Sequence, residues 1–286
     1  MNALSRNPDG RPPNFLIIGA QKSGTTSVVR ALNSVEGCWV TPKKELHYFN
    51  RFDPINDPRS WKRYLREFSD APEGALVGEA TPEYLPSTEA PQRIYSTVPN
   101  VRLVIVLRNP VDRAYSAYWH ALRWGVVPRS TTFANFIERE TREFGADWTD
   151  VVSRGCYSTQ IMRYLSYFHR EQMFIALFED LVLNSAKVMT ALLAHIGQNH
   201  TARWGANFPH ENRAHTWRFP KLSRRILVLR GKPVRQLPVV RRVVTRRYEV
   251  IPSMDSRDRI SLTEIFRPWN RQLESILDRS LSEWGT

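Results

Sequence analysis

The segment Gly19-Ala-Gln-Lys-Ser-Gly-Thr-Thr26 sets two glycines five positions apart, with a lysine and three hydroxyl side chains among and after them. Glycines let a tight loop turn its N–H groups inward, and N–H groups, hydroxyls and an ammonium together suit a phosphate. The spacing is that of the triphosphate-binding loop G-x-x-x-x-G, but Thr25 stands where that loop carries lysine. The lysine sits inside the loop, at Lys22. Phosphate binding through Gln21, Lys22, Ser23, Gly24, Thr25 and Thr26 is therefore expected, and a magnesium-dependent triphosphate arrangement is not. Glu45 and His47 are two residues apart, so an extended chain would turn both to one cleft for proton transfer. Arg108 ends an apolar run and Ser116 lies in the helical stretch after it, offering a planar fork and a hydroxyl to a terminal phosphate. On residue type alone, a surface ion pair for Arg108 with Ser116 facing solvent, and a solvated Glu45 beside a packed His47, are the favoured readings.

The elements around these residues have a consistent order. Asn14-Phe-Leu-Ile-Ile-Gly19 is a short continuous apolar run, as in a strand buried on both faces, and Thr25 to Val35 has helical composition. Strand, glycine loop and helix place a helix N-terminus against the anion. Ala75 to Glu79 and Arg102 to Leu107 read as further strands around a helical stretch, Glu89 to Val98. This βαβ pattern predicts an α/β fold with a parallel sheet. Helices are expected at 110–124, 155–169 and 179–196, a strand at Met173 to Leu177, and a last helix at 257–284 interrupted at Pro268. Residues 1–13, with three prolines, read as a flexible N-terminal tail, and 14–286 as a single domain without internal repeats.

Composition narrows the classes. With 42% hydrophobic residues in 286, the chain can bury a large core, which excludes a disordered or disulfide-dependent protein. No apolar run approaches the roughly 20 residues of a membrane-spanning helix, and no signal peptide precedes the first strand, so a cytoplasmic protein without a transmembrane span is expected. Cys38 and Cys156 lack metal-ligand spacing; they read as reduced thiols, and no metal is expected. The net charge is +13, yet residues 218–247 hold eleven basic side chains and no acidic one, leaving +2 for everything else. That concentration points to one local anionic partner and away from specific nucleic-acid binding. It predicts a basic flap at 218–247 facing an acidic acceptor or a lipid surface, with a merely solvated charge run as the other reading.

Several ordered motifs reach further. The loop, Lys43-Lys-Glu-Leu-His-Tyr-Phe49, Val77-Gly-Glu-Ala-Thr-Pro-Glu-Tyr84, Glu89-Ala-Pro-Gln-Arg93, Leu107-Arg-Asn-Pro-Val-Asp-Arg-Ala-Tyr-Ser-Ala-Tyr118, Gly155-Cys-Tyr157, Arg246-Arg-Tyr248 and Met254-Asp-Ser-Arg257 together resemble sulfotransferases that use 3′-phosphoadenosine 5′-phosphosulfate (PAPS). The similarity is greatest to heparan sulfate N- and 3-O-sulfotransferase domains and covers roughly residues 14–285.

The resemblance implies a P-loop-like three-layer fold with a central parallel sheet flanked by helices. It also implies in-line transfer of a sulfuryl group from PAPS, leaving PAP, to a hydroxyl or amine of a glycan, glycolipid or small molecule. It makes Glu45 the base, with His47 as second candidate, and Lys22 the stabiliser of the bridging oxygen. It assigns the 3′-phosphate to Arg108 and Ser116, a closing loop to Arg246 and Arg247, adenine stacking to Trp217 and a cleft position to Tyr157. One departure matters: heparan 3-O-sulfotransferases carry lysine in a Glu-Lys-Thr-Pro element beside the acceptor, where this chain has Ala80, so heparan is not inherited as the substrate. A P-loop nucleotide kinase and a non-catalytic anion- or membrane-surface-binding protein remain as alternative readings.

Overall fold

Short β-branched and leucine-rich runs with no polar face have nowhere to go but between two layers, and here they form one parallel sheet. The computed structural model describes residues 10–142, 151–198, 215–217, 246–248 and 251–286. In chain order the elements begin with β1 (Phe15–Gly19), α1 (Thr25–Leu32), β2 (Cys38–Val40), α2 (Tyr48–Arg51) and α3 (Pro58–Arg66). Next come β3 (Leu76–Ala80), α4 (Ala90–Thr97), β4 (Arg102–Leu107), α5 (Pro110–Arg123), α6 (Phe133–Arg142) and α7 (Tyr157–Leu165). Then follow β5 (Met173–Leu177), α8 (Phe178–Leu183), α9 (Ser185–Ile196), β6 (His215–Trp217), β7 (Arg246–Tyr248) and α10 (Ser256–Leu277). Strands β1 to β5 pair in the order β2-β3-β1-β4-β5, all parallel, and β6 and β7 form a separate antiparallel pair.

Alternation along β1 divides the core. Leu16 and Ile18 join Leu103, Ile105, Tyr84, Ile94, Tyr164 and Leu273 on one face, while Phe15 and Ile17 join Val104, Val106, Val28, Leu32, Leu192 and Leu193 on the other. The sheet is thus sandwiched between α4, α7 and α10 on one side and α1 and α9 on the other, three layers in all. A third apolar cluster joins α5, α6 and α10 through Ala114, Phe136, Leu262 and Phe266. From β1 the chain leaves through α1 toward β2, whereas β4 lies on the opposite flank and leads toward β5. The C-terminal ends of β1 and β4 therefore flank a topological switch point, where such sheets open a crevice.

Some expectations change on inspection. Residues 10–13 of the expected tail are held down: Gly10 is buried and Arg11 donates to the carbonyls of Pro72 and Ala75 at 2.9 and 2.5 Å. Residues 1–9 lie outside the described residues, as do 218–245, most of the expected basic flap. The helix expected at 179–196 is two helices, because Asn184 leaves the helical path and its side chain caps α9 by accepting from Lys187 N at 3.1 Å. The break expected at Pro268 is absent. α10 continues through it, since Leu262, Phe266, Asn270 and Leu273 are all buried along one face and their packing outweighs the lost backbone bond. The three-residue β2, and α3 with Asp57 as its N-cap and Pro58 in its first turn, were not anticipated.

The close packing of β1 on β3 generates a test. A Cβ on Gly78 would stand 2.3 Å from ring atoms of Phe15 in the fully buried core. Gly78→Ala should destabilise the fold by about 1–3 kcal/mol, seen as a lower melting temperature by circular dichroism. An unchanged melting temperature would show that β1 and β3 are not in this register.

Candidate functional site

The loop after β1 has its ends fixed by the sheet. Ala20 N donates to Val106 O at 2.8 Å, and Lys22 and Gly24 take left-handed conformations, φ 69° and 88°. A Cβ at Gly24 would lie 2.8 Å from the Phe178 ring, so glycine is required there for space as well as for conformation. Helix α1 then starts with no side chain capping it and no acidic residue in its first turn. Its Ser27 and Val28 amides turn back to Gly24 O, the first acceptor of the helix, whereas the Thr25 and Thr26 amides belong to the first turn, ahead of the intrahelical bonds. First-turn amides, two threonine hydroxyls and the positive end of the helix dipole make a donor set suited to a phosphate. Ser23 is fully buried. Gln21, expected to touch the cofactor, turns its amide to Glu83 at 3.0 Å, and Glu83 is paired with Arg154 at 2.6 Å.

Arg108 stands just past β4, across the switch point. Its guanidinium lies over Phe178, 5.0 Å from the ring centre, and donates to Lys22 O at 3.3 Å, which joins the two strand ends. The same phenyl ring therefore limits Gly24 and supports Arg108. Tyr157, expected to line the cleft, is 1% exposed and donates its hydroxyl to Arg108 O at 2.9 Å. Burial pushes its pKa up to about 12, so it is a neutral prop behind Arg108. Ser116 is half-buried on α5. Trp217 and Arg246, expected separately at the cofactor, face each other in the β6–β7 ladder, with Thr216 opposite Arg247, and β6 lies beside α5.

Glu45 and His47 do meet, but not on an extended chain. Both adopt left-handed backbones, φ 55° and 54°, which cost roughly 1–2 kcal/mol each for residues with a Cβ. Glu45 Oε2 is 3.7 Å from His47 Nε2. The hydrogen bond from His47 lowers the Glu45 pKa against the opposing effect of burial, with the Lys22 charge, and the imidazoles of His47 and His120 when protonated, acting in the same direction. Glu45 is thus an ionised, partly exposed carboxylate beside the His47 imidazole.

Lys22 Nζ reaches His120 Nδ1 at 3.0 Å. Its pKa is lowered to about 8, chiefly by burial and then by Arg123, with Arg108 acting the same way and Glu45 opposing. His120 and Arg123 were missed from the sequence, although a signal existed. They follow Ser116 by four and seven residues, the spacing of one helix face.

Comparisons with known proteins identify the family and the fold. A family model described as the sulfotransferase domain matches residues 12–228. The bifunctional heparan sulfate N-deacetylase/N-sulfotransferase 2 of Homo sapiens is 28% identical over 281 residues, covering 94% of this chain but 30% of its own length. The chain thus spans about a third of the curated relatives that it matches over most of its length. A crystal structure of a sulfotransferase from Alicyclobacillus acidocaldarius superposes with a TM-score of 0.73 at 28% identity, covering 96% of this chain and 100% of that one. A mouse sulfotransferase crystallised with PAP shares the fold at a TM-score of 0.54 and 14% identity, over 92% of this chain and 86% of that one.

Carbon-13 resonances of labelled lysine side chains should show one residue, Lys22, titrating near pH 8. Arg123→Ala removes a repelling charge and should move that midpoint upward. A Lys22 midpoint above 10 would contradict the burial of its ammonium.

Proposed function

We infer, from the premise that this chain belongs to the sulfotransferase domain family, that the crevice at the ends of β1 and β4 binds PAPS and passes its sulfuryl group to an acceptor hydroxyl or amine. The observation that carries the reading is that Lys22, inside the anion loop and bonded to His120, is near enough to Glu45 for each charge to favour the other. PAPS supplies the sulfuryl group and a phosphate leaving group when bound. The donor set fits it: the first-turn amides of α1 with Thr25 and Thr26 receive the 5′-phosphate, and Arg108 with Ser116 receives the 3′-phosphate. The family resemblance puts Trp217, Arg246 and Arg247, which lie on the β6 and β7 strands, on the cofactor side. Tyr157 and Gln21 serve indirectly, through Arg108 and Glu83.

Lys22 supplies one preorganised positive charge to the leaving oxygen, in a partly buried position where charge is worth more than in water. His120 accepts from that ammonium and fixes its direction, which leaves the other imidazole nitrogen carrying the proton. Glu45, kept ionised, takes the proton of the acceptor as its oxygen or nitrogen attacks. A carboxylate of lowered pKa is a weak base, so transfer must be concerted with attack and depend on positioning.

The acceptor belongs to the glycans, glycolipids or small alcohols and amines. Ala80 brings no cation to it; this residue ends β3, and its carbonyl is used by Glu45 N at 3.1 Å. The same reading includes one catalytic domain over 14–286, with the 218–247 segment recruiting an anionic acceptor or surface. Among the described residues no helix is long and apolar enough to cross a membrane. A cytoplasmic location is proposed on the two free, buried cysteines, Cys38 and Cys156.

Incubation with sulfur-35-labelled PAPS and a panel of glycans, glycolipids, alcohols and amines should label one acceptor class. Glu45→Gln should bind PAP normally and lose roughly 10²–10⁴-fold in turnover. Binding of PAP with no label transferred to any acceptor would favour a non-catalytic anion-binding protein. Full turnover in Glu45→Gln would move the base elsewhere.

A further inference from the structure

The residues that bear Glu45 and His47 have little secondary structure of their own. α2 is a single turn, and its N-cap, His47, makes no side-chain capping bond. Yet the amides of this segment end on one place. Glu45 N donates to Ala80 O at 3.1 Å, His47 N to Thr81 Oγ1 at 3.4 Å, and Tyr48 N to the Tyr84 hydroxyl at 3.0 Å, with Phe49 N on the same hydroxyl at 3.5 Å.

Both hydroxyls are in turn committed to one carboxylate. Glu79, at the C-terminal part of β3, is 0% exposed. It accepts from Tyr84 OH at 2.8 Å, from Thr81 Oγ1 at 3.0 Å and from Tyr64 OH of α3 at 2.7 Å. An ionised carboxylate only accepts, so each hydroxyl must point its hydrogen at Glu79. That leaves the lone pairs of Thr81 Oγ1 and Tyr84 OH facing the amides of residues 47 to 49. Rings reinforce the arrangement: Tyr48 stacks on Tyr64 at 4.4 Å, and Phe49 meets Tyr84 edge to face at 5.6 Å.

We propose that Glu79 is a positioning residue, which aligns the Thr81 and Tyr84 hydroxyls so that they hold the left-handed segment Glu45 to His47, and the first turn of α2, against the crevice. Burial raises the Glu79 pKa, and its three hydroxyl donors oppose that rise by favouring the charged form. A neutral group of the same shape carries donor hydrogens of its own, and then at least one hydroxyl must turn away from Glu79 and toward the amides. The catalytic consequence rests on the reading of Glu45 and His47 as the acceptor-side pair, but the positioning itself does not.

Hydrogen exchange followed by mass spectrometry on the intact chain separates the two. In Glu79→Gln, and in Thr81→Val and Tyr84→Phe, which carry the test should Glu79→Gln fail to fold, exchange across residues 45–49 should accelerate about tenfold. Peptides 15–19 and 102–107 should exchange as in the wild type, PAP affinity should be retained, and Thr81→Ser should restore protection. On any acceptor that takes the label, Thr81→Val should lower kcat and add nothing to the loss in Glu45→Gln. Unchanged exchange across 45–49 in the folded variants overturns the proposal. So does equal acceleration throughout the sheet, which would mark Glu79 as a general stabiliser only.

Discussion

A helix that starts without a cap at the end of a fully buried strand carries unsatisfied N–H groups and an uncompensated positive end, and this constraint organises the molecule. α1 is in that state because its N-cap is Gly24, which brings no side chain, and because the Phe178 ring leaves no room for one. The sheet order then decides what surrounds it. With β1 between β3 and β4, the loop after β1 is flanked by Arg108 on one side and by the segment anchored to β3 on the other. An anion bound at α1 therefore meets a fixed arginine fork and, through Lys22, the acidic side of the crevice.

The charges are arranged in series. Arg108 and Arg123 make the Lys22 ammonium less favourable, and Glu45 makes it more favourable. Lys22 and the two histidines in turn help to keep Glu45 ionised. An incoming phosphate would stabilise the protonated lysine, so the crevice is balanced to gain charge complementarity when an anion arrives. This balance requires the carboxylate to stay in place. The left-handed backbones at Glu45 and His47 are held by partners on β3 and the turn after it, which links the apolar core directly to the site.

Much of this was legible in the sequence, and the gaps have physical causes. β4 and β5 match their expected limits because uninterrupted apolar runs bounded by polar residues have one plausible home, a doubly covered sheet. β2 was invisible since three residues give no period. Loop spacing, strand ends and motif order point to Lys22, Arg108 and Glu45, which the fold brings near one another. A Gly-x-Tyr element does not reveal which way its ring points, so Tyr157 reads equally as a cleft residue or a buried one; here it is buried, with its hydroxyl on the Arg108 carbonyl. His120 lies four residues after Ser116, on the same helix face, but a lone histidine at that spacing does not announce a bond to a loop lysine. The extended geometry assumed for 45–47 failed because two non-glycine residues take left-handed conformations, which tertiary hydrogen bonds impose and residue type does not announce.

The central claim is that the uncapped start of α1, with Lys22 and Arg108, is a seat for a nucleotide bearing 5′- and 3′-phosphates and not for a magnesium triphosphate. Calorimetric titration of PAP and of ATP with magnesium into the same protein tests it most directly. The account predicts saturable PAP binding that does not depend on magnesium and weakens in Arg108→Ala, with ATP binding far weaker. Tighter, magnesium-dependent binding of ATP, or PAP affinity unaltered by Arg108→Ala, would contradict it.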